Sequence, residues 1–133
     1  MSRKERLSAY LKGFGKSESG VVVNSIYIGK ELFNLQFDGP KSDYKFRISD
    51  AYQLSCPDTS IDLRLLEKNP INPKIDGDLN KFLNVGKFLS KYNPREIAFI
   101  AQMLWNNGSH LNAKERKEAI KLLKKIRSTH INP

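Results

Sequence analysis

The apolar positions of this chain change their period twice. Leu7, Tyr10 and Leu11 stand at i, i+3 and i+4, which predicts a short helix over residues 2–12. Gly13, Gly15 and the polar run through Gly20 end it. From Val21 the period drops to two. Val21, Val22 and Val23 open a β-branched run that continues to Ile26, Tyr27 and Ile28, and Gly29-Lys30 suits a type II′ hairpin turn. Phe33, Leu35 and Phe37 then alternate with Asn34 and Gln36. Residues 38–43 are turn formers, after which Tyr44, Phe46 and Ile48 alternate with Lys45 and Arg47. Ile61, Leu63 and Leu65 repeat the alternation as a fourth strand. The pattern predicts an antiparallel β-meander of three to four strands with one apolar face.

Asn69-Pro70-Ile71-Asn72-Pro73 bars both a helix and a central strand, and so marks a linker. It divides a β half, about residues 20–67, from a helical half, about residues 76–128. Leu79, Phe82, Leu83, Gly86, Leu89 and Tyr92 form the apolar stripe of a first helix behind Asp76 or Asp78 as cap. Asn93-Pro94-Arg95-Glu96 supplies a cap residue, a proline at the first helical position and a glutamate at the third. The helix it opens, residues 97–105, is apolar nearly all round and reads as the buried centre. Asn106-Asn107-Gly108 stops it. Asn112-Ala113-Lys114-Glu115 repeats the capping pattern for a last helix running to about Ser128. The expected fold class is α+β: the meander followed by a three-helix unit, in one domain over residues 18–133, with residues 1–17 as a basic N-terminal arm or short helix.

Charge adds what periodicity does not show. The chain has 133 residues and a formal net charge of +9. Arg3, Lys4, Arg6, Lys12 and Lys16 against Glu5 leave +4 in residues 1–17. Lys114, Arg116, Lys117, Lys121, Lys124, Lys125 and Arg127 against Glu115 and Glu118 leave +5 from residue 114 onward, so residues 18–113 are neutral. Two basic ends on a neutral body attract polyanions: nucleic acid, an anionic membrane or an acidic protein.

On the last helix Ala119, Leu122, Leu123 and Ile126 point one way, while Lys114, Lys117, Lys121, Lys124 and Lys125 cluster on the opposite side. A lysine face can be a solvated surface, since lysine is a good helix former that keeps proteins soluble. With only Glu118 interrupting it, this face also fits phosphate contact, where lysines give affinity without much sequence specificity. Residues 93–128 invite comparison with a helix-turn-helix reader. The connection over residues 106–111 is longer than that motif's turn, and Asn112, Lys114 and Arg116 are the residues placed to reach base edges. The sheet is a weaker candidate, because Phe33, Phe37, Tyr44 and Phe46 fall on its core side and only Tyr27 is placed to stack on a base.

Other chemistry finds little support. Gly15-Lys16-Ser17 resembles the end of a phosphate-binding loop, but Tyr10 stands where the earlier glycine is needed. Lys12-Gly13-Phe14-Gly15 resembles an RNA-recognition strand whose aromatic continuation is missing. Cys56 is the only cysteine, which rules out an internal disulfide and points to a reducing, cytoplasmic compartment. His110 and His130 lack a motif that would make either a ligand or a base. No apolar run is long enough to span a membrane, and the N-terminus lacks the apolar region of a signal peptide. The expectation is therefore a protein that is not an enzyme, without cofactor or metal, binding nucleic acid (DNA before RNA) in a regulatory or accessory role. Arg3, Lys4 and Arg6 would act with Asn112, Lys114, Arg116, Lys117, Lys121, Lys124 and Lys125. A homodimer would double those contacts. The alternative is an adaptor or inhibitor that docks on an acidic protein partner.

Overall fold

The computed structural model describes residues 2–39 and 43–129. Residues 40–42 of the expected turn and His130 lie outside the described residues. Among the described residues, six helices and one two-stranded antiparallel hairpin follow in the order α1 (Arg3–Phe14), α2 (Ser19–Phe33), β1 (Arg47–Ile48), β2 (Leu54–Ser55), α3 (Pro57–Lys68), α4 (Asp78–Leu89), α5 (Pro94–Asn106) and α6 (Ala113–Arg127). No helix among the described residues is long and apolar enough to cross a membrane.

The expected meander is not there, and the α+β fold class gives way to a mainly helical one. Residues 19–33, read as two strands around a Gly29-Lys30 turn, form the single helix α2. Val21, Val22, Val23, Ser25, Ile26, Ile28 and Gly29 are all buried, so apolar side chains are needed nearly all round this helix. Burial on that scale outweighs the few tenths of a kcal/mol per residue by which β-branched side chains disfavour helix. Gly29 is a packing position rather than a turn residue. Leu35 folds back over it, and a Cβ at Gly29 would sit 2.9 Å from Leu35 Cδ1. Asn34 makes that return possible by taking a left-handed φ of 54°.

The fourth strand is also overturned. Residues 61–65 lie in α3, opened by Pro57 at its first turn with Asp58 beside it. The alternation misled because its polarity is inverted. Asp62 is 3% exposed, whereas Ile61 and Leu65 are 47% and 40% exposed. Of the third strand only Arg47–Ile48 remains, paired as Arg47↔Ser55 and Ile48↔Leu54. Tyr44 and Phe46 instead pack inward from the irregular segment before it.

The three C-terminal helices form where expected, but neither Asp76 nor Asp78 caps α4, whose N-cap is Gly77 without a side-chain bond. Both Asn93–Glu96 and Asn112–Glu115 form reciprocal capping boxes. Of α5, Ile97, Phe99, Ile100 and Ala101 are buried. A single core joins all this, with Phe37 at its aromatic centre. Its ring lies 5.0 Å from Phe82, 5.1 Å from Tyr44 and 6.1 Å from Tyr10.

The tightest packing is between α1 and α4. Gly13, expected to end α1, lies inside it, and Gly15 is the left-handed cap with φ 72°. A Cβ at Gly13 would collide with the Leu83 carbonyl oxygen and lie 2.8 Å from the Lys87 nitrogen. A Cβ at Gly86 would collide with the Tyr10 carbonyl oxygen and lie 3.1 Å from the Phe14 nitrogen. The two backbones touch through reciprocal glycines, and backbone cannot move aside as a side chain can.

Gly86→Ala should therefore cost at least about 3 kcal/mol, the upper part of the overpacking range, despite alanine's better helix propensity. Gly20→Ala, on exposed backbone of α2, should stay within about 0.5 kcal/mol of the parent in the same urea titration. Equal stabilities for the two variants would refute the close approach.

Candidate nucleic-acid interface

Helix α6 is built for exposure on one side. Its first turn is closed by Glu115 N–H donating to Asn112 Oδ1 at 2.8 Å and Asn112 N–H donating to Glu115 Oε1 at 2.9 Å. Ala119, Leu123 and Ile126 are buried, and α5 is its main neighbour. Lys114, Arg116, Lys117, Lys121, Lys124, Lys125 and Arg127 are all exposed. Glu118, the acid that interrupts the lysine face, pairs with Arg95 on α5 at 3.5 Å. No ion pair to Lys114, Lys117, Lys121, Lys124 or Lys125 occurs among the described residues. Among the described residues the face thus presents point charges without an acidic partner.

Three of the other candidates, Asn112, Arg3 and Arg6, are engaged in structure. The Asn112 Oδ1 is occupied by the cap. Arg3 turns into the protein: its Nε donates to Asp62 Oδ2 at 2.8 Å and its Nη2 to Asp62 Oδ1 at 3.4 Å. The guanidinium also lies over the Tyr44 ring, 4.8 Å from the centroid. Tyr44 Oη donates to the same Asp62 Oδ2 at 2.6 Å. Arg6 donates through Nη1 to the Phe37 carbonyl oxygen and stands 4.0 Å from Asp38. Lys4 alone of the N-terminal three is exposed. Helix α1 packs on α4 and α3, whereas α6 packs on α5, so the two basic ends are held by different supports.

The sheet, the weaker candidate, forms no platform among the described residues. Lys45 and Arg47 are exposed, but Asn34 and Gln36 share no sheet face with them. Tyr27 stacks edge-on against Phe46 at 5.2 Å. Sequence reasoning missed a different aromatic group: Tyr52 at the hairpin tip, His110 before α6 and Trp105 at the end of α5. Tyr52 lies in a segment without apolar period, and a contact across more than fifty residues leaves no local signal.

Cys56 is buried at the start of α3. No family model matches the chain, and no curated protein or solved structure is significantly similar to it.

The Arg3–Asp62–Tyr44 group has two measurable consequences. Arg3→Ala strands a buried carboxylate and should cost about 3 kcal/mol or more, whereas Lys121→Ala should stay within about 0.5 kcal/mol. Thermal or urea unfolding of the two variants compares them directly. The second consequence concerns alkali. Burial, reinforced by the bond to Asp62, raises the Tyr44 pKa, and burial raises that of Tyr10 against a smaller opposing effect of Ser25. The unfolded chain ionises these phenols near pH 10 while the folded one keeps them protonated. Stability is therefore intact below about pH 10 and falls above it, by about 1.4 kcal/mol per pH unit for each tyrosine. Phenolate absorbance from these two should rise together with loss of helical circular dichroism; ionisation in the folded state would refute the assignment.

Proposed function

We propose that the protein binds nucleic acid, DNA before RNA, through the lysine face of α6, as a regulatory or accessory factor of the cytoplasm rather than an enzyme. The observation that carries this reading is the uncompensated row Lys114, Lys117, Lys121, Lys124 and Lys125 on an exposed helix. At 1.5 Å per residue α6 is roughly 22 Å long, and duplex DNA offers a phosphate about every 1.7 Å of its axis. A helix of lysines can follow such a lattice. Arg116 flanks the row, and Lys4 remains available from the other end of the chain. Arg3 and Arg6 support the reading only indirectly, by fixing α1.

Lysine contacts of this kind set affinity and leave the choice of site open. A homodimer would be needed to double the contacts on a longer duplex. The second reading, a module docking on another protein, is favoured by one observation. Ile61, Leu65 and Ile71 are exposed around α3, where Leu65, Leu66 and Ile71 line a cleft of about 470 Å³.

Binding of a mixed duplex pool over a salt series tests the first reading. The slope of log affinity against log salt should lie near about −4 to −5. Replacing Lys117, Lys121 and Lys124 by glutamine should leave the melting temperature unchanged and flatten the slope by about 2 to 3. The same change at Lys68, Lys74 and Lys87, exposed elsewhere, removes equal charge and should matter much less. No retention of duplex at low salt would refute the proposal and leave the α3 surface as the better candidate.

A further inference from the structure

A second cleft, of about 260 Å³, opens between the hairpin tip and the facing sides of α2 and α5. Tyr52, Gln53, Asn24, Gln102 and Trp105 line it, together with Glu18. It falls just below the roughly 300 Å³ at which pockets for drug-sized ligands begin, and so suits one planar ring system. Tyr52 is 64% exposed, and its ring centroid lies 4.7 Å from that of His110, which lies 6.5 Å from that of Trp105.

The hairpin holds Tyr52 in an uncommon conformation. Its φ is 56°, a left-handed value that a bulky residue adopts only when its surroundings impose it. Tyr52 N–H donates to the Ser49 carbonyl at 2.9 Å, and Ser49 N–H donates to the Gln53 carbonyl at 2.8 Å. The turn thus keeps a large aromatic ring in solvent at a conformational cost that glycine would avoid. Beside it, the side-chain amides of Asn24 and Gln53 line the cleft, next to Gln102, whose Oε1 is itself shut from solvent. Amides carry donors and an acceptor together, which is the complement of a nucleobase edge. The Glu18 carboxylate disfavours a phosphate in the cleft and leaves a neutral base acceptable. Lys114 and Lys117 follow His110, whose ring meets that of Tyr52, by four and seven positions along the chain.

We propose that this cleft takes one unpaired nucleobase, stacked on Tyr52 and held at its edge by the amides. The proposal rests on the nucleic-acid reading of α6 and adds to it a preference for DNA with an unstacked base.

The test compares a duplex carrying one bulged adenine with the same duplex fully paired. It is accompanied by a titration of the protein with adenosine 5′-monophosphate. Trp105 is the sole tryptophan, so intrinsic fluorescence reports on this cleft. The bulged duplex should bind about five- to a hundredfold tighter, and the nucleotide should change Trp105 emission saturably. Tyr52→Gly should abolish both effects while melting no lower than the parent, because glycine accepts the positive φ. Tyr52→Phe should keep both. Equal affinity for the two duplexes, or a preference that survives Tyr52→Gly, would overturn the cleft and leave the α6 reading standing. Failure to bind either duplex would sink the α6 reading; the nucleotide titration then decides the cleft alone, a saturable change sustaining it and a flat trace overturning it.

Discussion

The architecture depends on the contact of two backbones. Gly13 and Gly86 let α1 and α4 approach until each meets the other's peptide groups, and this draws the N-terminal helix into the core. Once α1 is seated, Tyr10 reaches Phe37, and Arg3 reaches Asp62 across the top of α3. The buried Asp62 then receives Tyr44 from the segment that precedes the hairpin. Four stretches distant in sequence are thereby fixed together. A side chain at either glycine would separate the helices and loosen this chain of contacts from its first link.

That constraint also sorts the charges. Both ends of the sequence are basic, yet the fold treats them differently. At the N-terminus two of three arginine and lysine candidates are turned to carboxylate, carbonyl and aromatic partners, and their charge serves packing. At the C-terminus the helix is anchored by aliphatic side chains, and its lysines make no ion pair among the described residues. Under the proposed function, charge of the first kind positions the scaffold and charge of the second kind meets the ligand.

The sequence was most legible where local chemistry decides structure. The asparagine–glutamate boxes at Asn93 and Asn112 need only neighbours three residues away, and both formed as their spacing implied. The lysine face of α6 was readable for the same reason. The β half was not, because period two assumes that alternate residues face water. Residues 21–29 are buried nearly all round, and in α3 the polar Asp62 points inward while Ile61 points out. Both departures arise from partners far along the chain: α5 packed against α2, and Arg3 held by Asp62. The same holds for the Tyr52–His110 stack, which no local pattern announces.

The attachment of α6 has a mechanical side. Lys117, Lys121 and Lys125 repeat at i, i+4, as do Lys114 and Glu118, and the lysine pairs repel by a few tenths of a kcal/mol each. Helix α6 therefore carries internal electrostatic tension, and it is moored mainly to a single neighbour through Ala119, Leu123 and Ile126. Such an element opens more readily than the α1–α4 pair. An anion laid along the lysines removes the repulsion and tightens the mooring at once, so a helix held mainly by one neighbour in the free protein would be secured on two sides in the complex.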